Sequence, residues 1–204
     1  TFLMEGRLPQ RPLSPLWEEM ERMGCALSRP TPDTIRCTGK LKAGEYSIDG
    51  SVSSQFITGL LFALSCISGE SKVEVIGKFE SVPYVDITLS TLSSFGVSIS
   101  KEGNTYYIKK SNHFNCQKYS VEGDCSDAAV LEAFNLLGGN VKVLNLSPKT
   151  PQGDWVYHQM YSDLQNNIRG VDLSDCPDLG PAMFAVSAVL GGAKFTGTAR
   201  LRIK

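Results

Sequence analysis

The stretch Ile48-Asp49-Gly50-Ser51-Val52-Ser53-Ser54-Gln55 constrains this chain more than any other. It joins a strand-like run, Glu45 to Ile48, to a long apolar helix pattern that begins at Phe56. A glycine-containing turn ending in hydroxyl residues at a helix start leaves several backbone N–H groups without intrahelical partners. Those donors and the positive end of the helix suit a phosphate or a carboxylate. The layout returns at Glu122-Gly123-Asp124-Cys125-Ser126-Asp127 and at Leu173-Ser174-Asp175-Cys176-Pro177-Asp178. Each copy continues with an apolar helix, then glycine, then a β-rich run. Three copies of one strand–turn–helix–glycine–strand unit predict a repeat architecture.

The rest of the chain fills in the unit. Pro9 and Pro12 exclude a helix interior around Arg7 and Arg11, which leaves both arginines on an irregular or extended segment. Ser14-Pro15 predicts a capped helix start, with Leu16, Met20 and Met23 on one face and Gly24 as its end. Strand-like runs follow at Cys25–Ser28, Thr34–Cys37 and Glu45–Ile48. The helix from Ser54 to about Ser68 is apolar nearly all round, the pattern of a helix buried on most sides. A strand at Lys72–Ile76, a helix over 83–95, and a hairpin of Val97–Lys101 with Thr105–Lys109 complete a β-α-β-α-β-β order.

The polar stretch Ser111–Lys118 reads as a linker, after which the order restarts. It predicts strands at Tyr119–Glu122 and Asn140–Leu146, helices at Ser126–Leu137 and Gly153–Tyr161, then a helix over 181–190 and a strand over 193–203. Gly50 and Gly123 lie 73 residues apart, whereas Gly123 and Ser174 lie 51 apart. The shortfall falls near 160–167, where a strand–hairpin–strand end is expected, and it implies residues missing there. The domain reading is therefore 1–118 and 119–204, each incomplete.

Composition removes some functions. A net charge of −1 argues against nucleic acid or an anionic membrane as the main partner, without excluding a basic pocket for a small anion. Six cysteines without C-x-x-C spacing, and only two histidines, read as free thiols of a reducing cytoplasm, not as a disulfide frame or a zinc site. The apolar run Phe56–Ile67 is too short and interrupted to span a bilayer.

Six motifs then occur in a fixed order: Gly6-Arg7-Leu8-Pro9-Gln10-Arg11-Pro12, Asp49-Gly50-Ser51-Val52-Ser53-Ser54-Gln55, Ser81-Val82-Pro83-Tyr84-Val85-Asp86-Ile87-Thr88, Val121-Glu122-Gly123-Asp124, Cys176-Pro177-Asp178 and Leu201-Arg202-Ile203-Lys204. In this order the chain resembles the 5-enolpyruvylshikimate-3-phosphate synthase family of the shikimate pathway, the 3-phosphoshikimate 1-carboxyvinyltransferases. The resemblance implies an α/β (α+β) fold of repeated β-α-β-α-β-β units, with helices buried inside and sheets outside, in two domains that are incomplete here. It implies a cytoplasmic transferase of aromatic amino acid and chorismate biosynthesis, monomeric at full length. The enolpyruvyl group of phosphoenolpyruvate would move to the 5-hydroxyl of shikimate 3-phosphate, releasing phosphate, with no metal or organic cofactor.

Residue by residue, Ser53, Ser54 and Gln55 match contacts to shikimate 3-phosphate, as do Ser81 and Tyr84, with Gln55 also near phosphoenolpyruvate. Arg7 matches a phosphoenolpyruvate-binding arginine, and Lys204 a lysine that contacts shikimate 3-phosphate. Asp178 matches the carboxylate that contacts the substrate hydroxyls and accepts the proton of the attacking one. Plain structural roles stand beside these: a cap pair for Ser53 and Ser54, a turn serine, a core tyrosine, and a helix cap for Asp178. Arg11 matches a structural position, and Asp124 and Ser126 suit hinge and capping roles. Arg200 stands where some members have an asparagine contact.

The family's amino-terminal lysine and Asn-x-Gly-Thr loop should precede Thr1, and further Glu, Arg and Lys contacts should follow Lys204. The sequence therefore reads as an internal piece, inactive by itself. Two other readings compete. One is the sister UDP-N-acetylglucosamine enolpyruvyl transferase, which Ser-Ser-Gln with Ser-x-Pro-Tyr disfavours, and the other is a non-catalytic module binding a phosphorylated metabolite.

Overall fold

Alternating apolar residues decide which runs pair as strands, and the first ninety residues show this most plainly. In the computed structural model, which describes residues 1–109, 114–115 and 118–202, β1 (Phe2–Leu3) is followed by α1 (Leu16–Arg22), β2 (Cys25–Thr31) and β3 (Thr34–Gly39). The three strands form an antiparallel sheet in the order β1-β3-β2. A 3-10 turn at Leu8–Gln10 carries the proline-rich segment, with Arg7 at its cap position. The expected Ser14 cap does not form: Pro15 holds the cap position of α1 and no side chain bonds there.

The first repeat then appears in full. β4 (Glu45–Asp49), α2 (Ser54–Ser65), β5 (Ser71–Ile76), α3 (Val82–Ser94), β6 (Ile99–Glu102) and β7 (Thr105–Ile108) follow the β-α-β-α-β-β order. Their sheet runs β4-β5-β7-β6, with β4 and β5 parallel and the remaining pairs antiparallel. Tyr46, Ile48, Val73 and Val75 point inward from the parallel pair and are buried. α2 buries Phe56, Ile57, Leu60, Leu61 and Leu64, and leaves Phe62 exposed. Burial of a leucine or isoleucine side chain contributes about 2 kcal/mol, so this helix anchors its surroundings.

The second half holds α4 (Cys125–Leu136), a 3-10 turn at Gly153–Val156, α5 (Tyr157–Gln165), β8 (Gly170–Asp172), a 3-10 turn at Pro177–Leu179, α6 (Gly180–Val189), β9 (Lys194–Thr196) and a 3-10 turn at Ala199–Arg202. β8 and β9 are parallel. α4, α5 and α6 enclose a core that includes Ala129, Tyr161, Leu164, Leu173, Leu179 and Met183. The Tyr161 hydroxyl, itself buried there, donates to the Ala129 carbonyl at 2.6 Å.

Three sequence expectations fail in this half. Tyr119–Glu122 and Asn140–Leu146 form no strands; one main-chain bond, Gly123 N–H to the Asn145 carbonyl at 2.7 Å, joins them. Asn145 is left-handed at φ 63, which breaks the pleat, and its side chain takes over by donating to the Val121 carbonyl. Asn135 likewise brackets Val141, accepting from its N–H and donating to its carbonyl. The last strand ends at Thr196, not at 203, because Gly197 turns the chain at φ 68. The expected linker Ser111–Lys118 lies mostly outside the described residues.

The chain divides into two compact units. One comprises Thr1–Glu80 with Thr88–Cys116, and the other Ser81–Ile87 with Gln117–Lys204. The first turn of α3 therefore belongs to the second unit. No helix among the described residues is long and apolar enough to cross a membrane.

Candidate active site

In the first unit, the turn before α2 is built by two hydroxyl-bearing devices in succession. The Asp49 carboxylate accepts the Ser51 N–H at 2.8 Å and the Ser51 hydroxyl at 2.6 Å, which folds the chain back at the end of β4. The Ser51 hydroxyl and N–H hold this carboxyl below the usual carboxylate range. Ser53 then caps α2, its extended backbone at φ −158 and ψ 124 placing Oγ to accept the Gln55 N–H at 3.3 Å. Ser54 is buried beneath the turn, and Gln55 is exposed above it. The first turn of α2 carries no acidic residue, so nothing on the helix itself opposes an anion at its positive end. Arg7 is exposed on its own 3-10 turn in the same unit.

The same turn geometry recurs in the second unit, and a shared backbone bond fixes the alignment of the copies. The N–H groups of Gly50, Gly123 and Leu173 each reach the carbonyl of a later strand or strand-like run, at Ile76, Asn145 and Thr196. The helix cap follows three residues later at Ser53, one later at Asp124 and three later at Cys176. Asp178 is therefore the counterpart of Gln55, second after the cap. It does not cap: the 3-10 turn Pro177–Leu179 has Cys176 at its cap position, with no side-chain bond. Asp124, by contrast, caps α4 by accepting the N–H groups of Ser126 and Asp127 at 2.8 and 3.1 Å.

Around Asp178 the second unit assembles a polar cluster. Ser81, fully buried and left-handed at φ 57, donates its N–H to the Asp175 carboxylate at 3.1 Å. Its hydroxyl accepts from the guanidinium of the buried Arg200 at 2.6 Å. Arginine only donates, so the single proton of the Ser81 hydroxyl is left for another acceptor. Tyr84 donates its hydroxyl to the buried Asp154 carboxylate at 3.2 Å, and its oxygen bonds the Asp178 backbone N–H. Burial first, then the charges of Asp154 and Asp178, push the Tyr84 phenol far above its ordinary value. It is a neutral hydrogen-bonding group at any physiological pH.

Burial, reinforced by Asp154 and neighbouring carboxylates, raises Cys176 to about 12, and burial with Glu122, Asp154 and Asp124 raises Cys125 to about 11. Neither thiol is a nucleophile near neutrality. Among the described residues no three His, Cys, Asp or Glu side chains gather as a metal site.

The structure thus joins Tyr84 directly to the Asp178 backbone and surrounds Ser81 with Asp175 and Arg200. Ser53, Ser54 and Gln55 share one turn, Arg7 stands on another, and Lys204 lies outside the described residues. Sequence reasoning missed Asp154 and Asp175, and left Arg200 without a role. The helix pattern starting at Gly153 was legible, but its burial against Pro83 and Tyr84 depends on segments about seventy residues apart.

Comparison with known proteins assigns the chain to one family. The family described as EPSP synthase (3-phosphoshikimate 1-carboxyvinyltransferase) matches residues 5–204. The chain is 34% identical to the 3-phosphoshikimate 1-carboxyvinyltransferase of Clostridium acetobutylicum, over 98% of this chain and 51% of that protein. It is 35% identical to that of Clostridium kluyveri, over 100% of this chain and 52% of that protein. Among solved structures, an EPSP synthase from Acinetobacter baumannii superposes with a TM-score of 0.64 over 98% of this chain and 52% of that one, at 18% identity. The chain spans about half the length of the curated relatives it matches. With the repeat order, the Ser-Ser-Gln turn and this match over nearly its whole length, the chain belongs to the EPSP synthase family, the 3-phosphoshikimate 1-carboxyvinyltransferases.

Proposed function

We propose that the whole protein carrying this chain transfers the enolpyruvyl group of phosphoenolpyruvate to the 5-hydroxyl of shikimate 3-phosphate and releases phosphate, in the cytoplasm and as a monomer. The observation that carries this reading is the contrast of local chemistry within a family member. The α2 turn offers N–H and hydroxyl groups with no acid in the helix's first turn, which suits the phosphate of the sugar. The turn at Asp178 offers carboxylates, which suit ring hydroxyls. In this reading Ser53, Ser54, Gln55 and Ser81 donate to shikimate 3-phosphate, and Lys204 adds its charge. Tyr84 keeps its one proton on Asp154, so its contact to the substrate is made by the ring and not by donation. Arg7 takes phosphoenolpyruvate.

Asp178 accepts the proton of the 5-hydroxyl as its oxygen bonds to C2 of phosphoenolpyruvate and C3 gains a proton. Loss of a C3 proton then expels phosphate from the tetrahedral adduct and restores the double bond. Both substrates are polyanions, so fixed donors and cations carry the catalysis and no nucleophile is needed. The proposed domain division remains 1–118 and 119–204. α5 ends at Gln165 and β8 begins at Gly170, which leaves no room for a hairpin between them and fits residues missing near 160–167.

The test is phosphate release by the full-length protein given both substrates, run beside the 204 residues alone. Release with shikimate 3-phosphate but not with UDP-N-acetylglucosamine is the expected result; the reverse preference would assign the sister activity. Ser54→Ala is expected to weaken binding of shikimate 3-phosphate by about tenfold, the size of one lost charge-assisted hydrogen bond. Unchanged binding would remove the α2 turn from the site.

A further inference from the structure

The segment Gln152-Gly153-Asp154 touches three helix starts at once. The Gln152 side chain accepts the Cys125 N–H at 2.8 Å and donates to the Gly123 carbonyl at 2.8 Å, which ties it to the start of α4. Gly153 lies against the first turn of α3, where an added Cβ would stand 2.3 Å from Pro83 Cβ. Asp154, at 5% exposure, accepts the Tyr84 hydroxyl, whose oxygen bonds the backbone N–H of Asp178.

A buried carboxylate is costly unless hydrogen bonds meet it, and an ionised one only accepts. The Tyr84 proton must therefore point at Asp154. That orientation turns the oxygen lone pairs toward the Asp178 N–H, so the rotor has one arrangement and holds the turn at Asp178 itself, beside the Ser81 N–H bond to Asp175.

We propose that Gln152-Gly153-Asp154 is a positioning element for Asp178, with the Asp154 carboxylate acting through the Tyr84 hydroxyl. This rests on the reading that Asp178 takes the hydroxyl proton. Asp154 touches no substrate in this scheme. Its removal lowers the rate by letting the base drift, and a displacement of about 1 Å costs on the order of a hundredfold.

The experiment uses the full-length protein. Asp154→Leu, which cannot accept, is expected to lower kcat about a hundredfold while the KM for shikimate 3-phosphate stays within about threefold. Asp154→Asn, whose amide oxygen can still accept from Tyr84, is expected to recover kcat to within about tenfold of the parent. The double variant Asp154→Leu with Tyr84→Phe is expected to be no slower than the slower single variant, since both break one chain of bonds.

A second readout needs no turnover. The backbone amide of Asp178 is expected to shift in the proton–nitrogen spectrum and to exchange with solvent about tenfold faster in Tyr84→Phe and in Asp154→Leu, but not in Asp154→Asn. If Asp154→Leu does not fold, Tyr84→Phe and Asp154→Asn still give this comparison. An Asp178 amide unmoved by Tyr84→Phe, or a raised KM at unchanged kcat in Asp154→Leu, overturns the proposal. If the parent protein releases no phosphate at all, the proposed function fails, and the amide measurement still decides whether Asp154 holds Asp178.

Discussion

The turn before α2 and the turn before α6 start alike and end in opposite chemistry. Each begins with an aspartate folded over a serine two residues on, Asp49 over Ser51 and Asp172 over Ser174, with both the N–H and the hydroxyl donating. The first then delivers Ser53, Ser54 and Gln55 to the start of a twelve-residue helix. The other delivers Cys176, Pro177 and Asp178 to a single 3-10 turn, flanked by Asp175. One backbone device fixes where side chains go, and the residues after it decide whether donors or carboxylates are presented. The comparison teaches that the repeat carries placement and the individual copy carries chemistry.

The helices that follow differ in burial, and this gives the largest expected effect. Leu61 in α2 is fully buried, whereas Leu131 in α4 is 43% exposed. Leu61→Ala should cost about 3 kcal/mol in urea unfolding of this chain. Leu131→Ala should change stability by no more than about 0.5 kcal/mol. Equal costs would show that the two copies are equally covered in solution.

The third turn can be broken from its far side. Gly197 is left-handed, and an added Cβ would approach the Ser174 nitrogen to 2.3 Å. Gly197→Ala should therefore cost on the order of 2 kcal/mol and loosen the Asp172–Ser174 turn, as read by hydrogen exchange at Ser174. Protection of that amide unchanged from the parent would mean that β9 can shift without disturbing the turn.

Capping separates the copies more finely. Ser53→Ala and Asp124→Ala should each cost about 1 kcal/mol, measured by thermal unfolding, because each cap bonds a backbone N–H. Asp178→Ala should cost less than Ser53→Ala in the same measurement, since Cys176 holds the cap position of its 3-10 turn and no side chain bonds there. A cost as large as that of Ser53→Ala would restore Asp178 to a capping role.

The smallest effect is on pH dependence. Burial raises the Asp124 carboxyl, but the hydrogen bonds from Ser126 and Asp127 outweigh it and leave the group below its ordinary value. A carboxyl depressed in the folded state stabilises above its unfolded pKa of about 3.9, and that contribution is lost as pH falls through the folded value. Asp124→Ala should flatten the acid side of the stability curve below about pH 4. An unchanged acid limb would show that the turn persists in the unfolded chain.

How much of this was legible in the sequence differs by region. In the first unit, apolar alternation in Tyr46, Ile48, Val73 and Val75, and the apolar run of α2, gave every strand and helix of the repeat, because both report on one buried face. The Ser14 cap was misplaced because the serine–proline pair specifies a turn as readily as a helix start, and here Pro15 takes the cap position itself. In the second unit, Tyr119–Glu122 and Asn140–Leu146 carry β-prone residues but lack a ladder. Asparagine side chains satisfied the backbone there instead. Propensity describes a residue alone, while a strand needs a partner.

The element order of the first repeat, the three turns and the Ser-Ser-Gln and Cys-Pro-Asp motifs were settled by the sequence alone, because each depends on neighbours within a few residues. Tertiary structure alone decided the register of the third copy, which places Asp178 with Gln55. It alone set the burial of Asp154 and Arg200, and the bonds that carry Asp154 through Tyr84 to Asp178. Those features join residues 84, 154, 178 and 200, and a chain has no local pattern for partners so far apart; only packing brings their polar groups within reach.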